Sequence, residues 1–131
     1  MPSGGTFQET VIWTNPSPTS SFSRKAVDLS DNINNYDYVA IEFNYRTSST
    51  TEELKSRSIM SVADFKKGGR DTSVSRNCMA FGIVNASNIP YTRQVQYISD
   101  TSIHFTDCTA MNTTSSANSN AIPLRVIGLK Y

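Results

Sequence analysis

The run Tyr36-Asp37-Tyr38-Val39-Ala40-Ile41-Glu42-Phe43-Asn44-Tyr45-Arg46 constrains this chain more than any other stretch. Side chains of a strand alternate between its two faces. Val39, Ile41, Phe43 and Tyr45 therefore share one face, and Ala40, Glu42, Asn44 and Arg46 share the other. The run is rich in β-branched and aromatic residues and contains no Gly or Pro. Wound as a helix, it would scatter apolar groups around the whole cylinder. It is a strand, expected to bury Ile41 and Phe43 and to turn Glu42 and Asn44 outward or into an interface.

With 131 residues, the chain is long enough to bury about two-thirds of its unfolded surface around one core. Its net charge of +1 generates no field that implies nucleic acid or an acidic membrane. No apolar run approaches the roughly 20 residues of a membrane helix. Residues 1–6 are read as a flexible lead-in without signal-peptide character, and residues 7–131 as a single domain. Ser and Thr make up about a quarter of the chain, which suits strands and loops with a neutral polar surface. Cys78 and Cys108 lie in strand-like stretches, and no Cys/His cluster suggests a metal. Two buried, reduced thiols are expected, with a disulfide as the alternative.

Taken in order, Phe7 to Thr14 reads as a first strand, stopped by Asn15-Pro16-Ser17-Pro18. Phe22 to Ser30 alternates loosely and is read as a second strand. The Asn/Asp-rich segment Asp31 to Asn35 turns the chain before the central strand. Thr47 to Glu53 is a polar loop. Leu54 to Phe65 favours a strand centred on Ile59 to Val62, with a short helix as the alternative. Lys66-Lys67-Gly68-Gly69-Arg70-Asp71 is read as a hairpin loop; it lacks the order of a phosphate cradle.

Arg76 to Val84 reads as a buried strand. Tyr91 to Ser99 places Tyr91, Arg93, Val95 and Tyr97 on one face and is joined to Ser102 to Thr106 by the tight turn Asp100-Thr101. Thr113 to Asn120 is a low-complexity polar loop that need not pack. Ala121 to Tyr131 closes the chain as an apolar strand, with Pro123 near its start. Seven to eight strands with polar turns imply an all-β fold, an antiparallel, jelly-roll-like β-sandwich.

No catalytic constellation is recognisable. His104 is the only histidine, and its neighbours Ile103 and Phe105 place it on the outward face of its strand. No Ser lies in GxSxG or SxxK. The adjacent Glu52 and Glu53 would point apart on a strand and form no glycosidase-like pair. No catalytic residue, metal ligand or cofactor is therefore assigned.

The segment order resembles the small C-terminal domains of tail-fibre and baseplate structural proteins from phages and prophages of Gram-positive gut and dairy bacteria. The likeness rests on Thr10-Val11-Ile12-Trp13-Thr14-Asn15-Pro16-Ser17-Pro18 and on Asn35-Tyr36-Asp37-Tyr38-Val39-Ala40-Ile41, similar to the family's "NYDYI". It also rests on Ala121-Ile122-Pro123-Leu124-Arg125-Val126-Ile127-Gly128-Leu129-Lys130, similar to "IPLYIIGYK". Arg93-Gln94-Val95-Gln96-Tyr97-Ile98-Ser99-Asp100 is similar to its arginine-led penultimate hairpin. Leu54 to Arg70 departs from the family, so no binding residues carry over.

The resemblance implies a β-sandwich head, usually a homotrimer attached to an upstream tail or baseplate protein at the virion tail tip. Such a head recognises a cell-surface saccharide or protein and has no enzymatic activity. A purely structural trimerising domain and, in another class, a glycan-processing enzyme are the alternatives. The candidate ligand-binding residues are Trp13, Tyr38, Tyr91, Arg93 and His104. The aromatics are available to stack on sugar rings, although strand aromatics are more often core or subunit-interface residues. Thr47–Glu53, Lys66–Ser75 and Thr113–Asn120 are the loops expected to frame a site.

The strand assignment has a direct test. Phe43→Ala is expected to cost about 3–5 kcal/mol of stability, and unchanged thermal unfolding would place Phe43 on the wrong face.

Overall fold

The computed structural model describes residues 8–46, 55–69, 78–111 and 113–131. Two antiparallel sheets face each other across one apolar core, and the fold is an all-β sandwich. The first sheet has the order β1 (Gln8–Thr14), β9 (Asn120–Lys130), β3 (Tyr38–Arg46), β4 (Ser56–Ser61). The second has the order β2 (Lys25–Asp28), β7 (Ser102–Phe105), β6 (Pro90–Ser99), β5 (Met79–Val84), with the two-residue β8 (Thr109–Ala110) also paired to β6. Counting β8, nine strands stand among the described residues, one more than expected. The pairs β1–β9 and β2–β7 bring the two halves of the chain together in jelly-roll manner, while β5, β6 and β7 run as a meander.

The central strand lies where its alternation requires, between β9 and β4. Val39, Ile41 and Phe43 enter the core, with Ile41 wholly inaccessible. Its other face is less exposed than expected. Ala40 packs with Ile127, Leu129 and Tyr38 in a second, smaller apolar cluster on the outer face of the sheet. Asn44 is only 5% exposed, so it is covered and not open to solvent. The ladder to β9 shifts register between Glu42 and Phe43, and beyond the shift Asn44 stands opposite the fully buried Ile122. Glu42 is half-buried and takes two bonds from Arg125 directly opposite, Nε to Oε1 at 2.9 Å and Nη2 to Oε2 at 2.7 Å. Such a fork–fork pair is the stronger kind of ion pair.

A bulge also sets the first strand. Its pairing slips between Val11 and Trp13, so the consecutive residues Ile12 and Trp13 both pack on the core. The proline loop is then anchored to β9, because Asn15 donates from Nδ2 to the Pro123 carbonyl at 2.8 Å. Close approach explains one glycine. A Cβ on Gly128 would lie 2.5 Å from Cγ of Tyr36, whose ring covers that backbone.

Several segments differ from the reading of the sequence. The second strand is shorter than Phe22 to Ser30; it keeps only Lys25–Asp28, while Phe22 and Leu29 still enter the core. The stretch Leu54 to Phe65 yields both alternatives in succession, since β4 ends at Ser61 and a helix α1 (Val62–Lys66) follows. Ser61 caps that helix by accepting from the Asp64 N–H. The loop after it is not a hairpin, because β4 and β5 belong to different sheets. The two edges nevertheless touch, with Ser58 Oγ donating to the Ala80 carbonyl at 2.9 Å.

The Asp100-Thr101 turn joins β6 and β7 as expected. Thr113 to Asn120, read as a loop that need not pack, is pinned. Asn118 accepts from Phe22 N and Cys108 N, and Ala117 N bonds the Cys108 carbonyl. Both cysteines are free. Cys108 is buried, which pushes its thiol pKa up, whereas Cys78 is exposed rather than buried because it precedes β5. The lead-in 1–6, the loop Thr47–Glu53 and most of Lys66–Ser75 lie outside the described residues.

Acids tie the loops at one end of the sandwich. Tyr36 donates its hydroxyl to Asp31 and Tyr97 donates to Asp100, each at 2.6 Å. These bonds hold both carboxyls below the ordinary aspartate value of 3.8, and Arg125 does the same for Glu42 below 4.5. A carboxyl whose pKa is lowered by folding stabilises the fold above its unfolded pKa. That contribution is lost as pH falls through the folded value. Thermal stability should therefore be level near neutrality and fall below about pH 4, and Asp31→Asn should make the acid-side decline shallower. A decline already complete between pH 7 and pH 5 would contradict this origin.

Candidate functional site

The outer face of the second sheet carries the described surface best suited to a ligand. Along β6, the residues between the core-facing Tyr91, Arg93, Val95 and Tyr97 are Thr92, Gln94 and Gln96, and strand alternation sends all three to the outside. They line a groove of about 420 Å³ together with Arg24, His104, Thr106, Asp107 and Thr109. The ladders set three rungs. Gln96 stands opposite His104 and Thr92 opposite Thr109. Between them Gln94 meets Thr106, whose Oγ1 accepts from Gln94 N at 2.9 Å.

The groove is polar and balanced in charge. Asp107 accepts the Arg24 backbone N–H at 2.8 Å and Asn118 Nδ2 at 2.9 Å, both on Oδ1. These bonds, led by that of Arg24, hold its carboxyl below the ordinary value. His104 Nδ1 lies 3.1 Å from Gln96 Oε1. The imidazole points away from the core, as the sequence implies, but its neighbours leave it only 8% exposed, so it is not the exposed histidine expected. Thr92, Gln94, Thr109 and the Arg24 guanidinium make no side-chain hydrogen bond with other described residues. Among the described residues no cluster of His, Cys, Asp or Glu could hold a metal ion. The site offers amide, hydroxyl, carboxylate and guanidinium groups on a rigid floor.

Of the five residues singled out in the sequence, His104 alone lines this groove. Trp13 packs edge-on against Phe22 and tilted on Phe105, with ring centroids 6.2 and 5.5 Å apart. Tyr38 sits on the outer face of the opposite sheet, against Ala40, Ile127 and Leu129. Tyr91 packs against the main core and its hydroxyl accepts from Asn85 Nδ2. Arg93 is wholly inaccessible to solvent. Its Nη1 donates to the carbonyls of Phe22 and Thr106 at 2.8 Å, its Nε to Ala121 at 2.9 Å, and its Nη2 to Asn120 at 3.2 Å. Burial lowers its pKa to about 10, so it remains charged at neutral pH. This arginine is structural.

The same alternation that assigned Tyr91, Arg93, Val95 and Tyr97 to one face assigns Thr92, Gln94 and Gln96 to the other. The polar half of the pattern was the available signal. Arg24, Asp107 and Thr109 had none, because only the folded ladders bring them to the same face. Of the three loops expected to frame a site, Thr113–Asn120 borders the groove through Asn118 and through a bridge between Ser116 and Thr109.

The chain matches no protein-family model, and no curated protein shows significant similarity to it.

Arg93→Met removes the donors of several interior carbonyls at once. Each buried group left unpaired costs about 1–3 kcal/mol, so the variant should unfold at much lower temperature or not fold. Gln94→Ala, on the outer face, should leave thermal unfolding unchanged. Equal stability of Arg93→Met and wild type would contradict the structural role.

Proposed function

We propose that this domain is a non-enzymatic adhesion module, the receptor-binding head of a phage tail fibre or baseplate, which recognises a cell-surface saccharide. The observation that carries the reading is the groove on the outer face of the second sheet. Sugars present hydroxyls that both donate and accept, and Gln94 and Thr92, with the amide of Gln96 beside His104, offer matching groups from a floor of strands. The resemblance in sequence supports the viral setting. Its three principal stretches supply β1, β3 and β9, which are neighbours in one sheet, so the likeness lies in the scaffold.

A groove without an aromatic platform binds weakly, and the proposed homotrimer compensates. Presenting several sites on one particle gains about 10²–10⁴ over a single site, so millimolar sites of about −4 kcal/mol suffice. A second reading, a trimerising structural domain without a receptor, has its own support in exposed apolar side chains. Val84, Ile89 and Met111 gather around Pro90 at the tip of the β5–β6 hairpin.

Sedimentation and binding to a panel of Gram-positive cells test the proposal together. A trimer that binds cells, and whose binding is competed by their wall polysaccharide, is the expected result. A monomer at micromolar concentration removes the avidity argument. A trimer that binds no cells leaves the structural reading, and release of reducing sugars from the wall would make the protein an enzyme.

A further inference from the structure

The groove is long in one direction. Thr92, Gln94 and Gln96 follow one another at every second residue of β6, so their side chains rise from the sheet in a line about 13 Å from end to end. That is longer than a single pyranose ring. The line is open on its β5 side, where Gly82 stands opposite Thr92 and Ala80 opposite Gln94. On the other side Thr109, Thr106 and His104 run beside it as one bank. A deep socket for one terminal sugar would need walls on both sides, and this groove has a bank on one side only.

The charges are also matched within the groove. Arg24 and Asp107 contribute one cation and one anion, and the other lining residues apart from His104 are uncharged amides and hydroxyls. An anionic polymer would gain from the guanidinium and lose to the carboxylate beside it. A neutral polyhydroxylated chain meets open donors and acceptors on successive rungs, since Thr92, Thr109 and Gln94 are unspent within the described residues.

Resting on the saccharide-binding reading, we infer that the groove takes an internal stretch of a neutral, linear glycan lying along β6, with Thr92, Gln94 and Gln96 contacting successive sugar units. Gln94, on the middle rung beside Thr106 and Arg24, is the specificity-determining residue. Its amide meets the ligand wherever the chain is in register.

The test uses wall polysaccharide from cells that the intact protein binds, cut into size-fractionated neutral and anionic oligosaccharides. Affinity for the neutral fraction should rise with length beyond one sugar and level off once the line is filled. Gln94→Ala, Thr92→Ala and Gln96→Ala should each weaken the longer fragments by about three- to ten-fold, the equivalent of one hydrogen bond, with thermal unfolding unchanged. In wild-type protein the side-chain amide resonances of Gln94 and Gln96 should shift on titration, a readout independent of any variant. Monosaccharide bound as tightly as the longest fragment overturns the inference while leaving saccharide recognition intact, and so does preference for the anionic fraction. Failure of the intact protein to bind any wall polysaccharide overturns the adhesion reading and this inference with it.

Discussion

A buried guanidinium holds this sandwich together at the point where its loops converge. Arg93 extends from β6 through the core side of the sheet and donates to carbonyls of the Phe22 loop, the exit of β7 and the entry to β9. Its plane also lies near the ring of Phe22, 5.3 Å from the centroid, where a cation gains further. Desolvating a charge is costly, and it is tolerated only when the donors are used. The main chain meets that demand. Ala121 adopts a positive φ of 49°, a conformation non-glycine residues rarely take, and the carbonyls of Asn120 and Ala121 both accept from the arginine. Strain at one residue is coupled to satisfaction of a buried cation.

The same economy of position governs the rest of the core. Trp13 and Phe22 meet Phe105 tilted and edge-on, and Phe81 stands edge-on to it, the geometry aromatic rings prefer. Trp13 joins them only because the bulge at Ile12 turns two consecutive residues inward. Of the aromatics that look like ligand platforms in the sequence, Trp13 and Tyr91 are thus committed to the main core, and Tyr38 packs on the outer face of the other sheet. What remains for a ligand on the second sheet is its polar outer face, and the proposed recognition is by hydrogen bonds in place of stacking.

That division has a functional logic. A floor of strands positions Thr92, Gln94 and Gln96, so the proposed recognition would lose little ordering free energy. The Thr113–Asn120 loop, fixed by Asn118 to Asp107 and Cys108, borders the groove as part of the scaffold. Charge is kept in reserve at the rim, where Arg24 and Asp107 balance each other. Weak, neutral sites of the proposed kind would suit repetition on one particle.

The sequence by itself determined the strands β3 and β6 and their inward faces. Period-two alternation is a local property, and burial of Ile41, Phe43 and Val95 follows from it once any second sheet is supplied. It also determined the β6–β7 hairpin, since a two-residue turn between alternating runs admits little else. Tertiary structure decided what depends on long-range register. A bulge opposite Ile127–Val126 brought both Ile12 and Trp13 onto the core, and a register shift beside Glu42–Phe43 set the buried Asn44 opposite Ile122. The polar loop 113–120 became ordered because distant backbone groups needed its partners. Arg93 reads as a surface residue in a linear chain, because arginine is rarely buried alone; only the convergence of four carbonyls from separate segments makes the interior favourable for it. The groove is likewise a tertiary product: alternation places Thr92, Gln94 and Gln96 on one face, but pairing with β7 and β8 is what sets His104, Thr106 and Thr109 beside them.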